Sequence, residues 1–288
     1  MATVVSPLPY NCMINSSRPT VYRLISYLGS YLHYGNPWQV WWQRKAGAKG
    51  GEFEVKDRSS GVACICRPEA HRMFGEVWFD RDYDVPGVPL RAGDQVLDIG
   101  GNQGFFACYA AQRGCRVISF EPDPENVKLL ERNLQTNKLV SQVTVIAAAV
   151  KGSSGETRLF RTDRLGGGMN TTIPHFAQEL GFDQQDVVAV AAVKLADELK
   201  KRGIDQVRLC KMDCEGAELE IVQSLTQEDM ERVDSFALEF HREAYAPKEL
   251  VAALERWDTH HIFLASPKSY CERDILYAVH KRVMREVQ

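Results

Sequence analysis

Three features of this sequence predict a doubly wound α/β fold, a mainly parallel sheet with helices on both faces. From Gln95 onward, short apolar runs alternate with segments of helical period. The first run, Gln95–Gly100, ends in a glycine-rich turn that opens a helix. The last two, Ile262–Ala265 and Ile275–His280, follow each other without a helix between them and read as an antiparallel pair.

Taken in order, the chain begins with an arm over residues 1–19, where Pro7, Pro9 and Pro19 interrupt any periodicity. A helix is expected over Thr20–Tyr34, with Tyr22, Ile25, Leu28 and Leu32 on one stripe, and Gly35-Asn36-Pro37 should end it. Trp38, Trp41 and Trp42 follow, an aromatic stretch that suits core packing, a substrate lid or a homodimer contact. Residues 51–85 read as short strands and turns. The alternating region then predicts strands at Gln95–Gly100, Arg116–Phe120, Val143–Val150, Gln206–Met212 and Asp234–Phe240. Helices are predicted over Phe105–Arg113 and Pro124–Asn137, from Ala217, and over Pro247–Trp257. A longer insertion after the third strand holds Gly166-Gly167-Gly168 and an apolar stretch at Val187–Val193. These boundaries divide the chain into an N-terminal extension, residues 1–85, and one domain, residues 86–288.

With 35 basic against 38 acidic residues, the chain has a formal charge of −3. That balance argues against a surface built to grip a nucleic acid backbone. Val21–Trp42 is broken by Arg23, Ser26, Gly29, Asn36 and Gln39, so no membrane span is expected there. The N-terminus lacks the basic start and apolar run of a signal peptide. None of the eight cysteines forms a C-x-x-C pair, and most lie in apolar runs, so buried thiols of a cytoplasmic chain are expected. Cys64 and Cys66 should share one face of a strand.

The strongest chemical signal is Asp98-Ile99-Gly100-Gly101-Asn102-Gln103-Gly104. A buried strand ends there, and the N-terminus of the next helix offers free N–H groups to an anionic ligand group. Asn102 stands where a dinucleotide fingerprint requires glycine, which weakens the reading of a nicotinamide-dependent oxidoreductase. Asp98 just before the turn suits an amino group, so turn and aspartate together suit a zwitterionic head; the alternative is a tight turn with Asp98 bonded nearby. Glu121, at the end of the second strand, can accept from both hydroxyls of a ribose. Alternatively, it belongs to an acidic turn before the helix that Pro124 begins.

Asp98–Gly104 combines with Glu121-Pro122-Asp123-Pro124-Glu125-Asn126, with Asn133 and Asn137, and with Lys211-Met212-Asp213-Cys214-Glu215-Gly216-Ala217-Glu218. In this order the motifs resemble the FkbM family of methyltransferases, over roughly Tyr83 to His241. The resemblance implies a seven-stranded class I methyltransferase sheet, S-adenosylmethionine as cofactor, and O-methylation of a small metabolite or sugar, commonly in secondary metabolism. Asp98, Gly100, Asn102, Gly104 and Glu121 then become the cofactor-binding residues. RNA methylation is the rival reading, because tRNA guanine methyltransferases have similar cofactor turns.

Methyl transfer needs alignment and exclusion of water, and a hydroxyl acceptor also needs a base. Asp213 and Glu215 follow the fourth strand, and His241 follows the fifth, close to Glu239. His241 is the expected base on intrinsic acidity, with Asp213 and Glu215 lining the site. Glu215 has a structural alternative, as cap of the helix beginning near Gly216. No spacing among these residues singles out a metal, and none is assigned. His260-His261 cannot share an ion, because neighbours on a strand face opposite ways.

Overall fold

The computed structural model describes residues 32–46, 51–68, 70–162, 168–182, 186–264 and 275–287. The arm of residues 1–19 and most of the predicted helix, with Tyr22, Ile25 and Leu28, lie outside them, as do Gly166 and Gly167. Leu32 and His33 are helical, and Tyr34 then bridges to Asp57. The break at Gly35 is there, but Pro37 also starts a new helix, α1 (Pro37–Ala46), because proline is well suited to a first turn. Trp38 and Trp42 point outward from it, 81% and 67% exposed.

Strands β1 (Phe53–Lys56) and β2 (Ala63–Cys66) form an antiparallel hairpin, with Cys64 and Cys66 buried together on one face as their alternation requires. The next segment departs from the expected strands and turns. His71–Gly75 is a short helix, α2, continued by a π-helical turn over Glu76–Asp80 that ends at Arg81 in the left-handed region. Phe74, Val77 and Trp78 are buried at helical spacing, and tertiary packing of these rings decides the local form.

The main sheet is assembled from β3 (Gln95–Ile99), β4 (Arg116–Phe120), β5 (Val143–Ile146), β9 (Leu209–Met212), β10 (Ser235–Glu239), β11 (His260–Leu264) and β12 (Ile275–His280). Their order across it is β11-β12-β10-β9-β3-β4-β5. β12 inserts antiparallel between β10 and β11, while β10, β9, β3, β4 and β5 run parallel. This is the seven-stranded, mainly parallel order that the resemblance implies. Its central strands are buried over nearly their whole length, as expected with both faces covered. α3 (Phe105–Gln112) packs on one face with the N-terminal segment, so Val96, Val117, Leu209, Ala237 and Tyr277 share a core with Phe74 and Trp78. Leu97, Ile99, Phe120, Met212 and Leu238 face the opposite core, with Leu195 and Leu199 of α6 (Leu195–Arg202) and Leu250 of α9 (Pro247–Glu255).

The run Val143–Val150 is two strands rather than one. β5 stops at Ile146, and β6 (Ala149–Lys151) joins β7 (Gly155–Phe160) and β8 (Val187–Lys194) in a separate sheet of order β6-β8-β7. The apolar stretch Val187–Val193 is therefore an edge-to-edge partner for both β6 and β7. α5 (Pro174–Glu179) lies between β7 and β8 in the chain.

Candidate active site

Ligand sites in open α/β sheets form beyond the carboxyl ends of the parallel strands. A cavity of about 280 Å³ lies there, lined by Gly100, Gly101 and Asn102 after β3 and by Glu121 after β4. Asp213, Cys214 and Glu215 line it after β9, and Glu239 at the end of β10. The second sheet adds Ala149, Val150 and Leu159, and the N-terminal segment adds Arg72, Met73, Glu76, Val77 and Tyr83.

Each glycine of the turn is demanded by the protein itself. Gly100 has φ +79°, and a β-carbon on it would lie 1.8 Å from the Asp213 carbonyl oxygen. One on Gly101 would lie 2.2 Å from Ser119 Oγ, and one on Gly104, which has φ +85°, 2.9 Å from Leu130 Cγ. Asn102 is also left-handed, with φ +46°, a conformation asparagine tolerates. That twist aims its backbone N–H at Glu121 Oε2, 2.7 Å away. Glu121 Oε1 accepts from the backbone N–H of Asp123 at 2.8 Å. Burial pushes the Glu121 carboxyl up to about 7, although Asp123 and Asn102 pull the other way. A carboxylate has roughly four acceptor positions, so these bonds leave room for a ligand hydroxyl. Asp123, rather than Glu121, caps the helix α4 (Pro124–Thr136), accepting from Glu125 N at 2.9 Å.

Asp98 is placed differently from expectation. It is fully buried and absent from the cavity wall. Register explains why: on the sheet it stands beside Ser119 of β4 and Lys211 of β9. Ser119 Oγ donates to it at 2.9 Å, and Lys211 Nζ lies 3.2 Å away. Lys211 also donates to the Gly100 carbonyl at 2.6 Å. Burial lowers the affinity of that ammonium for its proton, but Asp98 and Asp213 outweigh it and hold the group above its ordinary value. Asp98 thus fixes the turn from beneath, and the expected direct contact with an amino group is replaced by an ion pair.

His241 is likewise not a free base. It does not line the cavity, and its ring sits between two carboxylates. Nε2 is 3.2 Å from Glu215 Oε2, and Nδ1 is 3.3 Å from Glu218 Oε1. Nδ1 makes no well-aligned hydrogen bond there, so Glu218 acts on the ring by its charge. Burial by itself would lower the imidazole, yet the two glutamates hold it well above its ordinary value. Glu218 is buried too; burial would raise it, but His241 and the N–H of Cys214 hold it down at about 2. Burial pushes Glu215 up against the pull of His241. Asp213, Glu215 and His241 can bring one nitrogen or oxygen each within 4.8 Å of the others; Glu215 and His241 spend theirs on each other.

Glu215 lines the cavity with a left-handed backbone, φ +52°, an unusual conformation for a glutamate. Capping of the following turn falls to Glu218, which accepts from Cys214 N at 2.9 Å and Gly216 N at 3.1 Å and is steadied by Tyr245 Oη at 2.9 Å. Asp213 meets an unexpected partner. Tyr83 Oη is 2.9 Å from Asp213 Oδ2 and 3.2 Å from Glu239 Oε2. Tyr83 was legible only as the start of a motif region, because nothing near it in sequence signals carboxylates more than a hundred residues away. His260 is buried and His261 exposed, on opposite faces of β11.

A family model described as the methyltransferase FkbM domain matches residues 98–264, more than half of the chain. Methyltransferase sdnD of Sordaria araneosa is 28% identical over 229 residues, 71% of this chain and 87% of that protein. The 31-O-demethyl-FK506 methyltransferase FkbM of Streptomyces tacrolimicus is 27% identical over 215 residues, covering 67% of this chain and 83% of that protein. A crystal structure of methyltransferase FkbM from Methylobacillus flagellatus KT aligns with TM-score 0.47 and 13% identity, over 90% of this chain and 59% of that one. By its matching domain and its sheet, this chain belongs to the FkbM family of methyltransferases.

Proposed function

We propose that this protein is an S-adenosylmethionine-dependent O-methyltransferase that acts on a hydroxyl group of a small molecule. The observation that carries the reading is Glu121, a buried carboxylate on the cavity wall, held by two backbone N–H groups and retaining acceptor capacity. It would take the ribose hydroxyls. The first N–H groups of α3 would take the carboxylate of the amino acid head, since those of the turn Gly100–Gly104 are already bonded within the protein. Ala149, Val150 and Leu159 offer an apolar wall to the base. When bound, S-adenosylmethionine supplies a methyl group on a sulfonium sulfur.

The acidic wall favours a hydroxyl over a carboxylate acceptor. Glu76, Asp213, Glu215 and Glu239 line it, against Arg72 and a Lys211 shared between Asp98 at 3.2 Å and Asp213 at 4.0 Å. Like charges at short range would repel an acceptor carboxylate, whereas a carboxylate base suits a hydroxyl. Asp213 and Glu239 are the groups on this wall fit to receive the hydroxyl proton, and His241 holds Glu215 in place. The Streptomyces tacrolimicus relative, named for 31-O-demethyl-FK506, supports methylation at oxygen for this chain.

The test is calorimetry with S-adenosylhomocysteine, followed by methyl uptake from radiolabelled S-adenosylmethionine into a panel of sugars, phenols and carboxylic acids. Binding of S-adenosylhomocysteine and label in hydroxyl compounds are expected. Failure to bind S-adenosylhomocysteine would defeat the cofactor assignment, and label confined to the carboxylic acids would defeat the hydroxyl assignment.

A further inference from the structure

Tyr83 lies before the residues matched by the family model, in the segment that packs against α3. Its side chain is 4% exposed, its ring meets Phe106 edge-on at 5.6 Å, and Lys211 Nζ lies 5.4 Å from the ring centre. The hydroxyl end reaches the cavity wall between Asp213 and Glu239, two side chains from different strands. A phenol has one hydrogen, and ionised carboxylates have none to give. At any moment that hydrogen serves one of the two contacts.

We propose that Tyr83 is a positioning residue for proton removal: its O–H turns from one carboxylate to the other, and the one released takes the acceptor's proton. The inference rests on the hydroxyl-methylating reading above. In the step, the acceptor O–H bond breaks and its proton bonds to a carboxylate oxygen. The electron pair stays on the acceptor oxygen, available for the new bond to carbon. The carboxyl group so formed donates its hydrogen to Tyr83 Oη, while Tyr83 donates its own hydrogen to the second carboxylate. The two carboxylates thereby go from two negative charges to one with both contacts hydrogen-bonded, which relieves the part of their repulsion that Lys211, 4.0 Å from Asp213 Oδ2, does not offset. The N-terminal segment thus takes part in the chemistry as well as covering the sheet.

The experiment compares wild type, Tyr83→Phe, Glu239→Gln and the double variant, using the hydroxyl compound on the panel that takes up most label. Tyr83→Phe keeps the ring against Phe106 and removes only the hydroxyl. The expected result is a fall in kcat on the order of 10- to 100-fold, within the range of acid–base contributions, with S-adenosylhomocysteine affinity unchanged. The double variant should be no slower than Glu239→Gln alone, because both changes break one path; two independent structural defects would multiply. A Tyr83→Phe enzyme within about twofold of wild type, or multiplying losses, overturns the proposal. So does a large loss of S-adenosylhomocysteine affinity, which would place Tyr83 in the cofactor site. If Tyr83→Phe fails to fold, Glu239→Gln alone decides, with wild-type kcat as the overturning result. Absence of label in every hydroxyl compound with wild type sinks the parent reading instead, and this inference with it.

Discussion

Gly100 and Asp213 meet backbone to backbone: the Cα of Gly100 stands where any side chain would strike the Asp213 carbonyl. The turn after β3 and the acidic segment after β9 are thereby locked in one relative position. Gly100→Ala combines a left-handed backbone with a collision against main chain, which no rotamer can relieve. The expected cost is roughly 3 kcal/mol or more, seen as a thermal midpoint lower by roughly 6–12 °C. An unchanged midpoint would mean that these two segments are not rigidly joined.

Glu121→Ala should weaken S-adenosylhomocysteine binding on the order of 10- to 100-fold, the loss of hydrogen bonds to a charged acceptor. Calorimetry reads this directly. Equal affinity would remove Glu121 from the ribose site.

The same side chain sets a pH dependence. Its carboxyl is raised to about 7 in the folded protein from an ordinary 4.5. The native state therefore holds a proton between these values that the unfolded chain has lost. This contribution to stability is complete at low pH and disappears as pH rises through about 7. Binding has the opposite sign, because ribose hydroxyls donate to the ionised form. Affinity for S-adenosylhomocysteine should fall roughly tenfold from pH 8 to pH 6, and Glu121→Gln should abolish that slope. A slope that persists in the variant would point to another group.

His241→Ala would leave Glu215 and Glu218 buried without their shared cation. Breaking such an arrangement costs about 3–5 kcal/mol, measurable by denaturant unfolding at pH 7. Because the imidazole is raised above 6.5 in the fold, its stabilisation is complete below that pH and is lost as pH climbs through the raised value. Glu218→Gln in the alanine background should recover part of the loss. Wild-type stability in His241→Ala would show that the three groups are not coupled.

Asn133 of α4 and Asn137, the residue that ends it, hold the hairpin by its edge. Asn133 exchanges both hydrogen bonds with the Ile65 backbone and donates to the Gln103 carbonyl, and Asn137 does the same with the Ala63 backbone. Asn133→Ala should cost roughly 3 kcal/mol through the orphaned backbone groups. Hydrogen exchange should accelerate at the Ile65 amide. Unaltered protection there would show that the hairpin is held by its apolar face alone.

Much of the wall proposed for the cofactor was readable from sequence, because it is one contiguous unit. β3, the glycine turn, α3, β4 and α4 fall close to their expected bounds, and Glu121 lies on the cavity wall. The wall proposed for the acceptor was not readable in the same way. It is made by strands β9 and β10 and by Tyr83, which meet only in the folded chain. The acidity of a free imidazole points to His241 as base, whereas in the fold Glu215 and Glu218 raise its affinity for a proton. The run Val143–Val150 looked continuous because periodicity does not show where a strand leaves one sheet for another.

Local chemistry alone determined that α4 begins at Pro124 behind the Asp123 cap and that β3 and β4 are buried apolar runs, because capping, proline and hydrophobic period act between neighbours in the chain. Tertiary structure decided that Asp98 faces Lys211 rather than the cavity, that a side chain on Gly100 would strike Asp213, and that Tyr83 joins Asp213 to Glu239. Each of these depends on strand order and register, which bring together side chains with no relation in sequence.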